Sequence, residues 1–372
     1  MKAHHLLTAA IVIISLSSFP ERAQALEQII RPYQNARSSG MGGVKITTGF
    51  YDENFFGNPA RVTHNPKFRL SLLEPTFEIN PNSISTVSDL AGADDILQTL
   101  GDTAGRSNHV RVQTVFPSIY IPTNNGARMS YAFGVIMNSQ GDVALRRSFQ
   151  VNPQAVVDIG PALTIGRRFL ANDALSVGLT SHLIYRAAAR TNLSLGDLLE
   201  DSSMSPERIG GDGAMVDFDL GATYELPWIW KDFQFLTGAA INNVLGGKYS
   251  NLNLQVIDNT AGALEQPRTL GLGITARRAK LGPFRDFQTA FEITDIGNND
   301  GGSLFRLIHI GAEAHYGVLA PRLGINQGYL TGGLGLNTRF FSLDYAYYGE
   351  ELTLNAGGYE DRRHIVKIAF HI

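Results

Sequence analysis

Apolar and polar residues alternate along many short stretches of this chain, and this alternation restricts the fold more than any other feature. Between Met215 and Glu225 one face is apolar: Val216, Phe218, Leu220, Ala222 and Tyr224. The intervening residues are polar or small: Asp217, Asp219, Gly221, Thr223 and Glu225. A period of two places successive side chains on opposite faces of a β-strand. The pattern therefore predicts strands with one apolar and one polar face.

Segments of this kind recur and are long for strands. The alternation identifies fourteen of them: 68–79, 110–121, 129–138, 156–169, 174–186, 215–225, 232–242, 251–257, 268–277, 284–294, 305–316, 328–336, 340–348 and 364–372. Most match the roughly 9–11 residues that a tilted strand needs to cross a membrane, whereas strands of soluble proteins usually have about five or six. We predict an all-β fold in which residues 68–372 form a transmembrane antiparallel barrel of about 14 strands.

The connections between these segments point the same way. Long connections (80–109, 139–155 and 187–214) alternate with short ones (122–128, 170–173 and 226–231), and 317–327 is interpreted as a further connection. Outer-membrane barrels have long extracellular loops and short periplasmic turns, an asymmetry that a soluble sandwich does not need.

Composition agrees with a barrel that faces lipid. Charged residues make up 17% of the chain, against about 25% in ordinary soluble domains. The formal net charge of -3 argues against a nucleic-acid partner held by phosphate contacts. The absence of cysteine excludes disulfides, thiol nucleophiles and thiolate metal sites. We expect no cofactor.

The N-terminus has the layout of a secretory signal peptide. Lys2 precedes an apolar run, Leu6 to Phe19, and Ala23-Gln24-Ala25 forms a small-x-small cleavage site. We predict a cleaved signal peptide at 1–25 and a mature chain that begins near Leu26. An uncleaved anchor is the alternative, and the missing cysteine excludes a lipid-modified N-terminus. The predicted location is the outer membrane of a Gram-negative-type bacterium.

Residues 26–67 lack the barrel pattern and are rich in glycine and in Asn-Pro steps. We interpret them as a hatch folded into the barrel mouth. The hatch residues singled out are Gly40, Gly42, Gly43, Asn58, Pro59 and Ala60.

The same hatch residues carry a resemblance to a known family. The stretches 36–43 (ARSSGMGG) and 55–60 (FFGNPA), with 322–329 (RLGINQGY) and 332–336 (GGLGL), resemble the FadL superfamily of outer-membrane barrels, closest to its PorV-like and TraF-like branch. The resemblance implies a barrel with an N-terminal hatch. The chain departs from the fatty-acid transporters at 43–53, which lacks their acidic-small run, and at Arg61, which stands where they have Gly.

Ionisable residues on the inward faces are interpreted as the polar lining of the lumen. They include Arg186, Asp217, Asp219, Glu292, Glu313 and His315. Because barrel lumens are routinely polar, we expect paired charges there rather than chemistry. His309, Glu313 and His315 share one strand face, but a metal site needs further donors, so no metal site is predicted. No nucleophile elbow or triad pattern is present, and we expect no catalytic residues and no enzyme.

Two long loops carry apolar residues that have no membrane to enter. The proposed ligand-binding residues are Leu90, Ile96, Leu97 and Leu100 in the first, where a helix is predicted from Val87 to Gly101, and Leu195, Leu198 and Leu199 in the other. These side chains either pack over the barrel mouth or present an apolar surface to a ligand.

Two functions remain open from the sequence. The first is uptake of hydrophobic, fatty-acid-like molecules, captured by the apolar loops and gated by the hatch. The alternative is a non-transporting barrel that docks protein partners in an envelope or secretion complex. In both cases the partners include outer-membrane lipid and the barrel-assembly machinery, which recognises an apolar-alternating last strand such as His364 to Ile372, although Phe is the usual final residue.

Overall fold

A closed antiparallel barrel encloses an irregular N-terminal segment. The computed structural model describes residues 32–91, 105, 107–123, 128–145, 151–170, 172–190, 210–250, 263–299 and 301–372. Successive strands pair in chain order except for the first two, which do not pair with each other, and the last strand closes the wall onto both of them. Within the described residues, no helix is long and apolar enough to cross a membrane.

The wall contains fourteen strand positions. The strands are β1 (Arg69–Leu73), β2 (Thr76–Ile79), β3 (Ser107–Ile121), β4 (Met129–Leu145), β5 (Val151–Phe169), β6 (Leu175–Arg190), β7 (Gly210–Trp230), β8 (Phe233–Asn242), β9 (Thr269–Leu281), β10 (Phe284–Ile293), β11 (Ile308–His315), β12 (Leu319–Asn326), β13 (Tyr329–Asn337), β14 (Phe341–Glu351) and β15 (Glu360–His371). Strands β1 and β2 lie end to end, because both pair with β3 and with β15. They count as one wall strand, and the predicted fold class is confirmed.

The sequence pattern located most strands but misplaced one. The segment Leu319–Asn326 was assigned to a connection and is a wall strand, paired with β11 and β13. Pro321 lies within this strand, although proline has no N–H to donate to a ladder. The predicted strand 251–257 lies outside the described residues, and the strands on either side of it, β8 and β9, pair directly.

The predicted first-loop helix begins earlier than expected. Helix α2 runs from Pro81 to Ala91, and the side chain of Asn80 accepts a hydrogen bond from the N–H of Ser83 at 2.9 Å. Asn80 thus caps the helix and Pro81 occupies its first turn, where proline is favoured. The predicted start at Val87 is wrong, because the cap at Asn80 starts the helix six residues earlier, at Pro81.

The outer face of the wall is apolar and the inner face is polar. On β7, Val216 and Leu220 are 50% and 44% exposed, whereas Asp217 and Asp219 are buried. The same alternation gives other strands an exposed apolar outer face: Val110, Val112, Phe133, Val157, Leu163, Val177, Leu179, Leu272, Phe291, Ile310, Leu323 and Tyr345. An outward apolar band over a polar interior is the arrangement of a transmembrane barrel.

The two ends of the barrel differ. One end has short connections (122–128, 170–174, 231–232, 282–283, 316–318 and 338–340) and is called the turn end. The other, called the loop end, has most of the long ones: 80–106, 191–209, 243–268 and 294–307. In outer-membrane barrels the end with short turns is usually the periplasmic one. Strand β5 has 19 residues and β12 only 8, so the wall is much taller on one side.

The N-terminal segment, residues 32–67, lies inside the barrel. It contains helix α1 (Ala36–Gly40) and two 3-10 helices, Tyr51–Phe55 and Pro59–His64. An apolar cluster joins it to the inner wall: Phe55 and Val62 pack with Tyr120, Ile136 and Ile184. The segment therefore occupies space that a tall barrel would otherwise leave to water.

Candidate functional site

Glycines on β11 and β12 let the N-terminal segment approach the wall backbone to backbone. A Cβ added at Gly311 would lie 2.1 Å from the carbonyl oxygen of Met41, and one at Gly324 would lie 2.4 Å from the nitrogen of Gly42. Gly42 has φ +72, and a Cβ there would lie 2.2 Å from the oxygen of Ile310. No side chain fits at these distances, so the fit of this part of the segment depends on glycine.

The opposite side of the segment rests on β6 and β7 in the same manner. Asn58 caps the second 3-10 helix by accepting from the N–H of Ala60 at 3.0 Å, and its amide donates to the oxygen of Ala222 at 3.1 Å. A Cβ at Gly178 would lie 2.3 Å from the carbonyl carbon of Pro59, and one at Gly221 would lie 2.0 Å from the Asn58 side chain. The segment thus reaches from one wall to the other.

Buried ion pairs hold the segment to the wall. The guanidinium of Arg37 binds the carboxylate of Glu313 with two hydrogen bonds of 3.0 Å and also binds Glu53 at 2.8 Å. Burial opposes the charge of Arg37, but the carboxylates of Glu313 and Glu53 raise its pKa above the ordinary value. On the wall, Arg322 binds both Glu313 and Asp344 at 2.6 Å. Removing one member would leave a buried charge unpaired.

A carboxylate on β10 binds the backbone of the segment. Glu292 accepts hydrogen bonds from the N–H groups of Lys45, Ile46 and Thr47 at 2.7, 3.0 and 2.9 Å, and from the hydroxyl of Thr47 at 2.9 Å. Successive backbone N–H groups form a concave donor set that suits an anion. Glu292 therefore fixes the path of the chain between α1 and the first 3-10 helix.

A cavity lies between the segment and the wall near the loop end. It has about 1070 Å³ of empty space, including the part that opens to solvent. Apolar side chains form part of its lining: Tyr33, Ile46, Phe55, Phe56, Ile184 and Met215. Polar residues form the remainder, among them His182, Asp219, Asn242, Asn243, Thr294, Asp295, His309 and Asn326. The lining thus combines apolar side chains, which suit a small apolar molecule, with many polar groups.

The predicted lumen residues are inward and mostly engaged in contacts within the protein. Arg186 is buried against Asp158 at 2.6 Å, and Asp217 accepts from the N–H groups of Leu245 and Gly247 at 2.8 and 2.7 Å. Asp219 lies 2.7 Å from the ring of His182. Glu292 and Glu313 bind the N-terminal segment as described above.

The histidines considered as metal ligands do not meet. The ring of His309 lies 2.8 Å from the oxygen of Gly42 and 2.9 Å from the hydroxyl of Thr294. His315, near the turn end of β11, is half-buried, and its Nδ1 has no hydrogen-bond partner among the described residues.

Some of the other predicted site residues are described by the structure, and the rest are not. Gly40 and Gly43 lie with Gly42 against β11–β13, and Asn58, Pro59 and Ala60 lie against β6 and β7. The side chain of Leu90 and the residues Ile96, Leu97, Leu100, Leu195, Leu198 and Leu199 lie outside the described residues.

Sequence reasoning missed the cavity and the charges around Arg61. Phe56, Ile184 and Met215 belong to different elements, so their apolar character was read as ordinary strand or hatch packing. Arg61 did carry a signal, because it replaces the glycine of the related hatch pattern. Its side chain is 1% exposed, which is unusual for arginine.

Comparison with solved structures establishes the fold. The toluene transporter TbuX of Ralstonia pickettii matches with a TM-score of 0.50 and 12% sequence identity, covering 93% of this chain and 98% of its own. This chain has the fold of that transporter. Two further structures match below a TM-score of 0.5: the Pseudomonas putida toluene transporter TodX (0.47, 12% identity, 93% and 97% covered) and a Pseudomonas aeruginosa FadL homologue (0.46, 11% identity, 92% and 98% covered).

Comparison by sequence gives no match, because neither a protein-family model nor a curated protein matches the chain.

Proposed function

We propose that this barrel takes up small hydrophobic molecules across the outer membrane. The observation that carries the proposal is the cavity, which lies near the loop end and has the N-terminal segment as part of its lining. Its apolar side chains include Phe56, Ile184 and Met215. They would contact an apolar solute that displaces water from the cavity. Burial of apolar surface stabilises such a complex by roughly 25 cal/mol per Å².

The polar half of the lining fits a transport site rather than a permanent one. The lining includes Asn242, Asn243 and Asn326, with which a hydrocarbon forms no hydrogen bonds. Its affinity for the cavity therefore stays moderate, and its release remains fast. Toluene, the solute of the similar transporter TbuX, matches the cavity in chemical class. A fatty-acid-like ligand, as expected from the sequence, belongs to the same proposal.

Passage requires movement of the N-terminal segment, because its glycine contacts and ion pairs reach both walls. We propose that residues 26–67 act as the hatch and that the apolar loop residues Leu97 and Leu199 assist capture. Export through a signal peptide cleaved after Ala25, and assembly through β15 by the barrel-assembly machinery, complete the proposed route to the outer membrane.

Uptake of radiolabelled toluene by cells that produce the barrel tests the proposal. Met215→Gln places a polar group of similar size in the cavity and should lower the initial uptake rate several-fold. Met215→Leu keeps an apolar side chain and serves as the matched control. Equal uptake by wild type, both variants and cells without the protein would refute transport of this class of molecule.

The docking alternative, including a place in the PorV-like or TraF-like branch, depends on a large exposed loop patch. Those loops lie largely outside the described residues, and no described feature favours that function.

A further inference from the structure

Three arginines surround His64 where the N-terminal segment meets the wall at the turn end. Arg61 belongs to the segment, Arg168 to β5 and Arg277 to β9. Arg168 donates a hydrogen bond to the carbonyl oxygen of Thr63, whose hydroxyl lies 3.0 Å from Nδ1 of His64. Burial, together with the positive charges of all three arginines, lowers the pKa of His64 to about 3.

The described residues around this cluster carry too little negative charge to balance the three arginines. Glu225 lies 2.9 Å from Arg277 and 3.7 Å from the ring of His64. Glu53 also acts on Arg61, but its carboxylate is bound by Arg37 at 2.8 Å. Arginine stays protonated in proteins. Among the described residues, the three positive guanidinium groups therefore share one nearby carboxylate, that of Glu225, which no arginine outside the cluster binds.

Each of the three arginines also has a buried nitrogen without a hydrogen-bond partner in the described part of the chain. These nitrogens are Nη1 of Arg61, Nε of Arg168 and Nε of Arg277. Burial lowers the pKa of Arg61 to about 9, and the positive charge of Arg277 contributes to this. The side chains of Arg277 and Glu225 are 27% and 43% exposed, so the cluster reaches solvent on one side.

We propose that Arg61, Arg168 and Arg277 form a binding site for a small oxyanion, a phosphate or carboxylate group. The oxygens of such a group can accept hydrogen bonds from N–H groups of the segment and of two wall strands at once. The planar guanidinium fork suits these anions better than an ammonium group does. The bound anion would therefore join the N-terminal segment to β5 and β9, where the segment otherwise meets like charge.

Thermal unfolding of the purified barrel in a neutral detergent tests the site. Sodium phosphate, sodium acetate and sodium decanoate are compared with sodium chloride at equal ionic strength, and the unfolding midpoint is followed by circular dichroism. We expect a saturable rise of the midpoint with an oxyanion and none with chloride. Stabilisation by phosphate or acetate identifies a free anion as the ligand, and stabilisation by decanoate alone identifies a carboxylate carried on an apolar molecule.

Variants separate the site from general salt effects. Arg277→Gln should raise the half-saturating anion concentration about tenfold or more, as expected for the loss of a charge-assisted contact. Arg278→Gln is the matched control, because Arg278 pairs with Asp232 on the outside at 2.8 Å. Glu225→Gln should lower the half-saturating concentration, since it removes a competing carboxylate. Equal stabilisation of all these variants, or no difference between oxyanions and chloride, would overturn the proposal.

Discussion

The guanidinium of Arg37 and the carboxylate of Glu313, separated by 276 residues in the sequence, form a two-bond ion pair inside the barrel. Glu313→Ala leaves Arg37 and Arg322 without this shared acceptor in a buried site. The free energy of unfolding should fall by roughly 3–5 kcal/mol, as for other broken buried pairs. Denaturant titration in lipid vesicles measures it, and Glu360→Ala, which breaks an exposed pair with Arg362, should cost about 1 kcal/mol or less. Equal losses in the two variants would contradict the buried anchoring role.

Gly311→Ala should displace the N-terminal segment and leave the barrel wall intact. The added methyl group would meet the backbone oxygen of Met41 at 2.1 Å, and neither partner can move without shifting a strand or the segment. Limited proteolysis of the folded barrel should then cleave within residues 32–67 faster than in wild type. Gly332→Ala is the control, because its nearest neighbour would be 3.9 Å away. Unchanged protection of the segment in Gly311→Ala would show that the close contact is not required.

Leu220→Arg tests which face of β7 meets lipid. Leu220 is 44% exposed on the outer surface, and a charge near the bilayer midplane costs about 2–4 kcal/mol in such barrels. The measurement is the free energy of folding into lipid vesicles. Leu304→Arg is the control, since Leu304 is 71% exposed in a loop-end connection. A cost at position 220 no larger than at position 304 would mean that the outward band does not face the membrane.

Acid should weaken the barrel partly through His64. Burial, with the positive charge of Arg61, holds the pKa of His64 at about 3, below its ordinary value of 6.5. Between these values the unfolded chain binds a proton that the folded protein does not, so stability falls as the pH drops through this window, by at most about 1.4 kcal/mol per pH unit. His64→Asn should flatten the profile between pH 6.5 and pH 3. A profile of unchanged slope in His64→Asn would contradict the assignment.

Local patterns were enough to predict the wall, because every strand in a barrel alternates between lipid and lumen. They fell short where this constraint is weak. Strands β4, β5 and β7 extend further than predicted, through residues such as Ser139 and Asn152, because these parts extend beyond the apolar alternation that marks the strands. Strand β12 is separated from β13 by only two residues, 327–328, so the sequence pattern does not mark the turn between them.

The interior could not be predicted in the same way. The sequence marked Gly42 as unusual, but its neighbours Ile310 and Ile325 are more than 260 residues away, and only the closed barrel brings them together. Arg61 and Arg277 are also far apart in the sequence and come close only in the closed barrel. A single sequence shows which residues are exceptional in their own segment, whereas contacts across the lumen depend on the register of all the strands between them.

The uneven wall has a consequence for how a solute arrives. At about 3.3 Å per residue, the 8 residues of β12 extend about 26 Å, close to the thickness of the apolar band itself. The 19 residues of β5 extend more than twice as far. His309 and Asn326 of the cavity lie on the low side, at the loop ends of β11 and β12. Under the proposed function, a molecule that has already partitioned into the outer leaflet has a lower wall to pass on this side, and it would arrive by diffusion in two dimensions.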